Sequence, residues 1–333
     1  DARRRDRTGR PLMAPGSGLT VTAPGGVPDV RVGDDLADLL VPLVDLADGD
    51  IVAVTSKVVS KAEGRVVDGD REEWITSETA RLVARRGATR IVRNHLGLTM
   101  AAAGVDASNV ARGSVVLLPV DPDASAARLR RSIADRTGVN VGVIVTDTAG
   151  RAWREGQTDI AIGAAGVVVL ESFVGRVDEH GNELAVTAPA VADEIASMAE
   201  LAQGKLGGRP FAVVRGRPDL VLPPGDSGPG ARALIRQEGG DLFGYGAREA
   251  VLRAVRRDPA DAAPFGAPVT AAELVELLVS TGIHALATTD ADGELVRCAG
   301  DRREPVEVLA FVHGWRVDPR SDGTDLLLRP VST

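Results

Sequence analysis

Val139-Asn140-Val141-Gly142-Val143-Ile144-Val145-Thr146-Asp147-Thr148-Ala149-Gly150-Arg151 changes character half-way along. Up to Val145 it is short, apolar and β-branched, the pattern of a strand buried on both faces. From Thr146 it turns polar, so the strand delivers a carboxylate and two hydroxyls to its carboxyl end, and Gly150 lets the chain turn. Ligands of open α/β sheets gather at such ends. Asp147 with Thr148 offers the oxygen donors that a hard divalent cation takes. The same residues also fit a plain turn in which Asp147 acts as a cap.

Working outward, strand and helix signals alternate. Asp34-Asp35-Leu36 with Leu39, Leu40 and Leu43 predicts a capped amphipathic helix, and residues 51–54 a buried strand. Residues 77–86, closed by Gly87, read as a helix, 90–92 as a short strand and 115–120 as another. Asp123 is placed to cap a helix that carries Leu129 and Ile133 and stops at Gly138. Residues 189–206 read as the longest helix, with Val191, Ile195 and Met198 on one face, and 211–214 as a strand. The character changes after about Gly246. A helix over 247–256 leads into a linker ending at Pro264, and Thr270-Ala271-Ala272-Glu273 is a capping box opening a helix with Leu274, Leu277 and Leu278. Residues 284–288 and 295–298 flank Asp290-Ala291-Asp292-Gly293 as a hairpin, and 306–312 and 326–331 are strand candidates. The expected division is a disordered leader over 1–19, a main domain over 20–246, a helix and linker over 247–264, and a small α+β appendage over 265–333.

Three further segments place polar groups beside these elements. In Gly104-Val105-Asp106-Ala107-Ser108-Asn109, Asp106 suits a metal carboxylate and Asn109 a base- or ribose-binding amide, although an Asx-turn explains both equally well. Thr55-Ser56-Lys57-Val58-Val59-Ser60-Lys61 follows a buried strand directly; as a helix it puts Lys57 and Lys61 on one face and Ser56 near its start, a set that can hold phosphates. Arg151-Ala152-Trp153-Arg154-Glu155-Gly156-Gln157-Thr158-Asp159 offers Arg154 for a carboxylate or phosphate, with Asp159 to orient it, or is a surface loop.

Composition narrows the class. A net charge of −8 with acids and bases mixed along the chain argues against broad nucleic-acid binding. Arg3, Arg4, Arg5, Arg7 and Arg10 precede a Pro/Gly/Ser stretch, and Met13 is a conceivable start. Cys298 is the sole cysteine, which excludes an intramolecular disulfide and a thiolate zinc cage. No apolar run reaches the length of a membrane span and no signal-peptide pattern is visible, so a cytoplasmic protein is expected. Phosphate-loop, dinucleotide-fingerprint and nucleophile-elbow motifs are missing, and His95, His180, His284 and His313 show no ligand spacing.

Taken together, several stretches resemble the coenzyme F420:L-glutamate ligase family: Gly26-Val27-Pro28-Asp29, Gly33-Asp34-Asp35-Leu36, the run from Thr55 through Arg65, Ala103 through Asn109, Thr146 through Asp159, and Ala192-Asp193-Glu194-Ile195-Ala196. The likeness covers about 20–246. It implies an α+β fold with mixed sheets and flanking helices in a ligase core, ahead of the small C-terminal appendage. It implies a reaction in which GTP phosphorylates the lactyl carboxylate of the coenzyme F420 precursor, L-glutamate attacks the acyl phosphate, and further glutamates join through γ-linkages. The resemblance places nucleotide contacts at Val27, Pro28, Asp29, Val30, Ser56, Lys61 and Asn109. It places one Mg2+ or Mn2+ on Asp106 and Asp147 and a second on Thr148, with K+ as a further cation. Gln203-Gly204-Lys205 falls near the second metal, and Lys205 departs from the acid or amide expected there. Asp147, Arg154 and Asp159 are the catalytic candidates, Arg151 joining Arg154 and Asp159 for anionic substrate. A homodimer is implied, with no nucleic-acid or membrane partner. The residues after Gly246 are too few for the flavin-binding domain of two-domain relatives, so no FMN and no reductase activity are expected. The rival readings are the same scaffold acting on another carboxylate or amino acid, and a non-catalytic nucleotide-binding protein.

Overall fold

The computed structural model describes residues 18–237, 239–321 and 324–331. The basic block and Met13 lie outside them, and of the leader expected over 1–19 only Gly18 and Leu19 lie within. Two compact units divide the described chain. The first runs to Arg81 and resumes over Gly87–Ile235; the second holds Leu82–Arg86 and the residues from Arg236 onward.

In chain order the first unit carries β1 (Thr20–Thr22), α1 (Leu36–Leu40), β2 (Ile51–Thr55), α2 (Ser56–Ala62), β3 (Val66–Asp68), α3 (Arg71–Ser77) and β4 (Thr79–Arg86), whose last residues pass into the second unit. It continues with β5 (Thr89–Asn94), β6 (Thr99–Ala101), β7 (Ser114–Val116), α4 (Pro122–Thr137), β8 (Gly142–Arg151), β9 (Arg154–Ala165), α5 (Val191–Gln203) and β10 (Phe211–Arg215). A five-stranded sheet of order β1-β10-β2-β8-β9 forms the centre; β2 and β8 run parallel and the other pairs antiparallel. Alternation along these strands feeds two cores. Val52, Val54, Val143 and Val145 pack with Leu36 and Leu40 of α1 and with Leu129 and Ile133 of α4. Ile51, Ile144 and Val214 face the other way, onto Val191 and Ile195 of α5. Covering both faces of β2 and β8 explains their unbroken apolar sequence. This is an α+β fold of mixed sheets with flanking helices.

Several elements differ from the sequence expectation. The helix expected over 77–86 is β4: Asp70 caps α3 through Glu72 and Glu73, so Ser77 ends a helix instead of starting one. Gly87, at φ +59, lies between β4 and β5, where a residue that stops helices serves equally as a turn. Asp121, not Asp123, caps α4; Asp123 takes the backbone N–H groups of Ala164 and Ala231. That helix, at 16 residues, is the longest described, and α5 is 13 residues long, within the 189–206 expected. The strand expected over 115–120 is the shorter β7. The buried strand expected over 139–145 begins at Gly142 and runs through the polar stretch to Arg151.

The second unit contains α6 (Ala247–Arg256), α7 (Ala271–Ser280), β11 (Ala285–Asp290), β12 (Gly293–Ala299), α8 (Arg303–Val312), β13 (Trp315–Val317) and β14 (Asp325–Pro330). Its sheet has the order β11-β12-β14-β13 over a core of Leu274, Leu278, Val296, Val306, Trp315, Leu326 and Leu328. Thr270 and Glu273 form the expected capping box. The strand expected over 306–312 is α8. Val306 and Ala310, four apart, bury one helical stripe, and an Arg303–Glu307 pair at the same spacing supports the outer face. Phe265, before α7, packs edge-on against Tyr245 and Phe311. No helix of the described residues is long and apolar enough to cross a membrane.

Candidate active site

The parallel ladder between β2 and β8 pairs Ile51 with Gly142 and ends at Thr55 with Thr146. At that point β2 gives way to α2 without an intervening loop, while β8 continues, paired to β9. Ser56 and Asp147, each one residue past the last pair, therefore meet, and Ser56 Oγ donates to Asp147 Oδ1 at 2.9 Å. Asp147 is partly buried in the wall of a cleft. Burial pushes its carboxyl up to about 7 against the relief from Ser56, and the Asp159 and Asp106 carboxylates add to the rise. The ionised form thus sits in a place that is short of positive charge.

Asp159 of β9 stands directly across from Thr148 in the β8–β9 register. Only 3 % of it is exposed, and both its oxygens are satisfied by hydroxyls: Thr148 Oγ1 donates to Oδ1 at 2.7 Å and Thr146 Oγ1 to Oδ2 at 3.2 Å. From beyond α5, Lys205 Nζ donates to Thr148 Oγ1 at 2.9 Å, lies 3.5 Å from Asp159 Oδ1, and pairs with Glu200 at 2.7 Å. Partial burial works against the Lys205 charge, but Glu200 and Asp159 outweigh it and raise its pKa.

Asp106 comes from a different part of the chain. Gly104, at φ +80, follows Ala102 and Ala103 in left-handed geometry, a bend only glycine makes freely. A Cβ on Gly104 would lie 2.6 Å from Leu118 Cδ1. Two backbone hydrogen bonds to Val116, of 3.0 and 2.7 Å, then fix Asp106 against β7. Its carboxylate accepts from Ser108 N and Ser108 Oγ, the Asx-turn geometry, and pairs with Lys57 Nζ at 2.6 Å. Partial burial raises its pKa, yet Lys57 and Ser108 prevail and hold it below the ordinary carboxylate range.

These groups open onto one cleft of about 1050 Å³. Its walls include Val27, Pro28, Asp29, Val30, Lys61, Asp106, Asn109, Asp147, Thr148 and Asp159. Ser56 is buried behind the wall, reaching the cleft through Asp147. Arg154 is not brought to it: it begins β9 opposite Arg151 on the exposed hairpin end, and neither arginine lines the cleft. A smaller cleft of about 370 Å³, around Thr20, Asp45 and Arg215, shows no such convergence.

Matching residues 26–86 and 71–216, the family model described as F420-0:Gamma-glutamyl ligase spans four of the five strands of the central sheet, α4, α5 and the residues that line the cleft. The chain belongs to this family. The family match ends at 216, before the second unit resumes. Among curated relatives, the coenzyme F420:L-glutamate ligase of Archaeoglobus fulgidus is 43% identical over 213 residues, which is 57% of this chain and 85% of that protein. The protein of the same name from Methanopyrus kandleri is 41% identical over 238 residues, 64% of this chain and 93% of that protein. That from Halobacterium salinarum is 38% identical over 219 residues, covering 57% and 84% respectively.

The family's cleft in this chain fits a hard divalent cation by its donor set: Asp106, Asp147 and Thr148 supply oxygens, and the raised Asp147 carboxyl lacks a compensating charge. Among the described residues, no group of three or more His, Cys, Asp or Glu side chains is placed to hold a metal ion. Two carboxylates and a hydroxyl would leave the rest of such an ion's coordination to waters and phosphate oxygens. Lys61 makes no ion pair among the described residues, whereas Lys57 is taken up by Asp106. Arg71, Glu200 and Arg209 also line the cleft and are not singled out by the sequence, while Gln203, expected near a second metal, lines it too. Gln203 is buried and its amide nitrogen has no partner among the described residues, a donor available to a ligand. No local motif marks Arg71 or Arg209; Glu200 and Gln203 carried a weak signal, as polar residues on the last turn of a helix whose other face is apolar.

Proposed function

We propose that this chain joins L-glutamate to the lactyl carboxylate of the coenzyme F420 precursor, and then adds γ-linked glutamates, driven by GTP through an acyl phosphate. The observation that carries this reading is the convergence of Asp106, Asp147 and Thr148 with Lys61 on one cleft, in a chain whose relatives bear the name of that ligase.

The assigned roles follow from position. Val27, Pro28, Asp29 and Val30 with Asn109 line the cleft for the base and ribose, and Lys61 and Arg71 meet the phosphate oxygens. Asp106, Asp147 and Thr148 would hold Mg2+ or Mn2+, which when bound neutralises charge on the phosphates and on the transferring phosphoryl group. In the first step a carboxylate oxygen of the precursor bonds to the γ-phosphorus as the bond to the β–γ bridging oxygen breaks, releasing GDP. In the second, the glutamate amine attacks the acyl carbon, the carbon–oxygen bond to phosphate breaks, and the amine loses its proton. The protein's part is to hold three partners in line and keep water away from the acyl phosphate. Under the same reading the chain works in the cytoplasm as a homodimer.

Incubation with the deazaflavin precursor, L-glutamate, GTP and Mn2+, followed by mass spectrometry, tests the reading. A glutamylated product formed with stoichiometric GDP supports it. No product, or product without nucleotide consumption, overturns it.

A further inference from the structure

The cleft holds two carboxylates of opposite condition. Asp147 is partly buried, faces Asp159 and Asp106, and is relieved only by neutral donors, the Ser56 hydroxyl and the Thr148 backbone N–H. Asp159, although more deeply buried, is part of an oxygen cluster that already contains a cation. Thr148 Oγ1, Asp159 Oδ1 and Glu200 Oε1 lie 2.9, 3.5 and 2.7 Å from Lys205 Nζ. The hydrogen of Thr148 is spent on Asp159, so its lone pairs are what face the ammonium. A divalent ion on those same oxygens would have to expel Lys205 from all three, whereas an ion on Asp106 and Asp147 would displace Lys57 from one carboxylate and gain a second.

We infer that Lys205 Nζ serves as a built-in cation in the Thr148–Asp159–Glu200 oxygen set, so that this chain uses one exchangeable divalent ion, held by Asp106 and Asp147, in place of two. This rests on the metal-dependent reading above and corrects it at Thr148, which becomes an acceptor for an ammonium instead of a ligand of a second ion. The arrangement is suited to that substitution. An ammonium has three donors, and here three oxygens face it; it carries half the charge of Mg2+ and cannot dissociate from the chain. Lys205 follows the end of α5, and Glu200 on that helix tethers it over the cleft. The side chain acts through Thr148 and Asp159 and is a positioning residue.

Mn2+ binding, counted by electron paramagnetic resonance with and without a non-hydrolysable guanosine triphosphate, tests this on the full chain. The wild type is expected to bind one Mn2+ per chain, Lys205→Arg one, and Lys205→Glu two, the second ion spin-coupled to the first. Circular dichroism checks that both variants fold; Lys205 is exposed, so neither change touches the core. Two ions on the wild type, a single ion on Lys205→Glu, or a second ion on Lys205→Arg would each overturn the inference and leave the ligase reading standing. No ion on the wild type under either condition would instead sink the metal-dependent reading, and the inference with it.

Discussion

Asp147 concentrates a conflict between stability and function. Its folded pKa lies near 7 against an unfolded value near 4, so the metal-free protein loses stability as pH rises from about 4 through about 7, by on the order of 4 kcal/mol when the carboxylate is fully ionised. Asp147→Asn removes that cost. In EDTA at pH 8 the variant should melt at a higher temperature than the wild type and at pH 4 the two should coincide, while with Mn2+ supplied at pH 8 glutamate ligation should be abolished in the variant alone. A variant that is destabilised at pH 8, or that still turns over, would contradict the assignment. Lys61 makes the complementary case, as a cleft cation with no ion pair among the described residues. Lys61→Met should weaken GTP binding about ten- to hundredfold by calorimetric titration with little change in melting temperature; unchanged affinity would remove Lys61 from the phosphate site.

At the scale of elements, the cleft depends on how loops and strand ends are held. Gly104→Ala adds a Cβ both at φ +80 and against Leu118, and should cost about 1–3 kcal/mol in denaturant unfolding. Because Asp106 follows two residues later, the same variant should also bind Mn2+ more weakly; full stability would show that the bend is not strained. What the sequence disclosed at this scale follows the same physics. The apolar run ending at Val145 announced a buried strand, and the switch at Thr146 marked where ligand groups begin, because β2 ends there and leaves that edge of β8 uncovered. Asp106 and Asn109 were legible through glycine and polar spacing, but only likeness to relatives joined them to Asp147, since nothing local encodes a contact between loops this far apart. Residues 77–86 and 306–312 were misread for opposite reasons: a serine and a glycine imitated helix boundaries around β4, and a run of valines and leucine imitated a strand where four-residue spacing forms α8. Lys205 was visible as a departure from expectation, whereas its partners Thr148, Asp159 and Glu200 needed coordinates.

Over the whole molecule, the two units keep separate cores, and the second has an electrostatic clasp of its own. Arg320 and Arg329 both hydrogen-bond Asp318 and hold its carboxyl far below the usual carboxylate range. A depressed folded pKa contributes stability above the unfolded value of about 4 and loses it as pH falls through the folded one. Asp318→Asn should therefore lower the melting temperature of the second unit at pH 7, and the gap to the wild type should close on acidification below about pH 4. An equal deficit at pH 7 and pH 3 would refute the clasp. The first unit is governed by a different device, the single strand β8. Its opening half is packed between helices and its closing half faces the cleft, with nothing but a register irregularity between Val145 and Thr146 to separate them. One residue inserted between Gly142 and Thr146 would turn Asp147 and Thr148 to the opposite sides of the sheet and disarm the protein at once. One residue inserted beside the exposed Trp153 would only lengthen the hairpin tip. Tolerance to length change should thus reverse within a dozen positions, and a scan of single-codon insertions along this strand would trace the frontier between scaffold and chemistry directly.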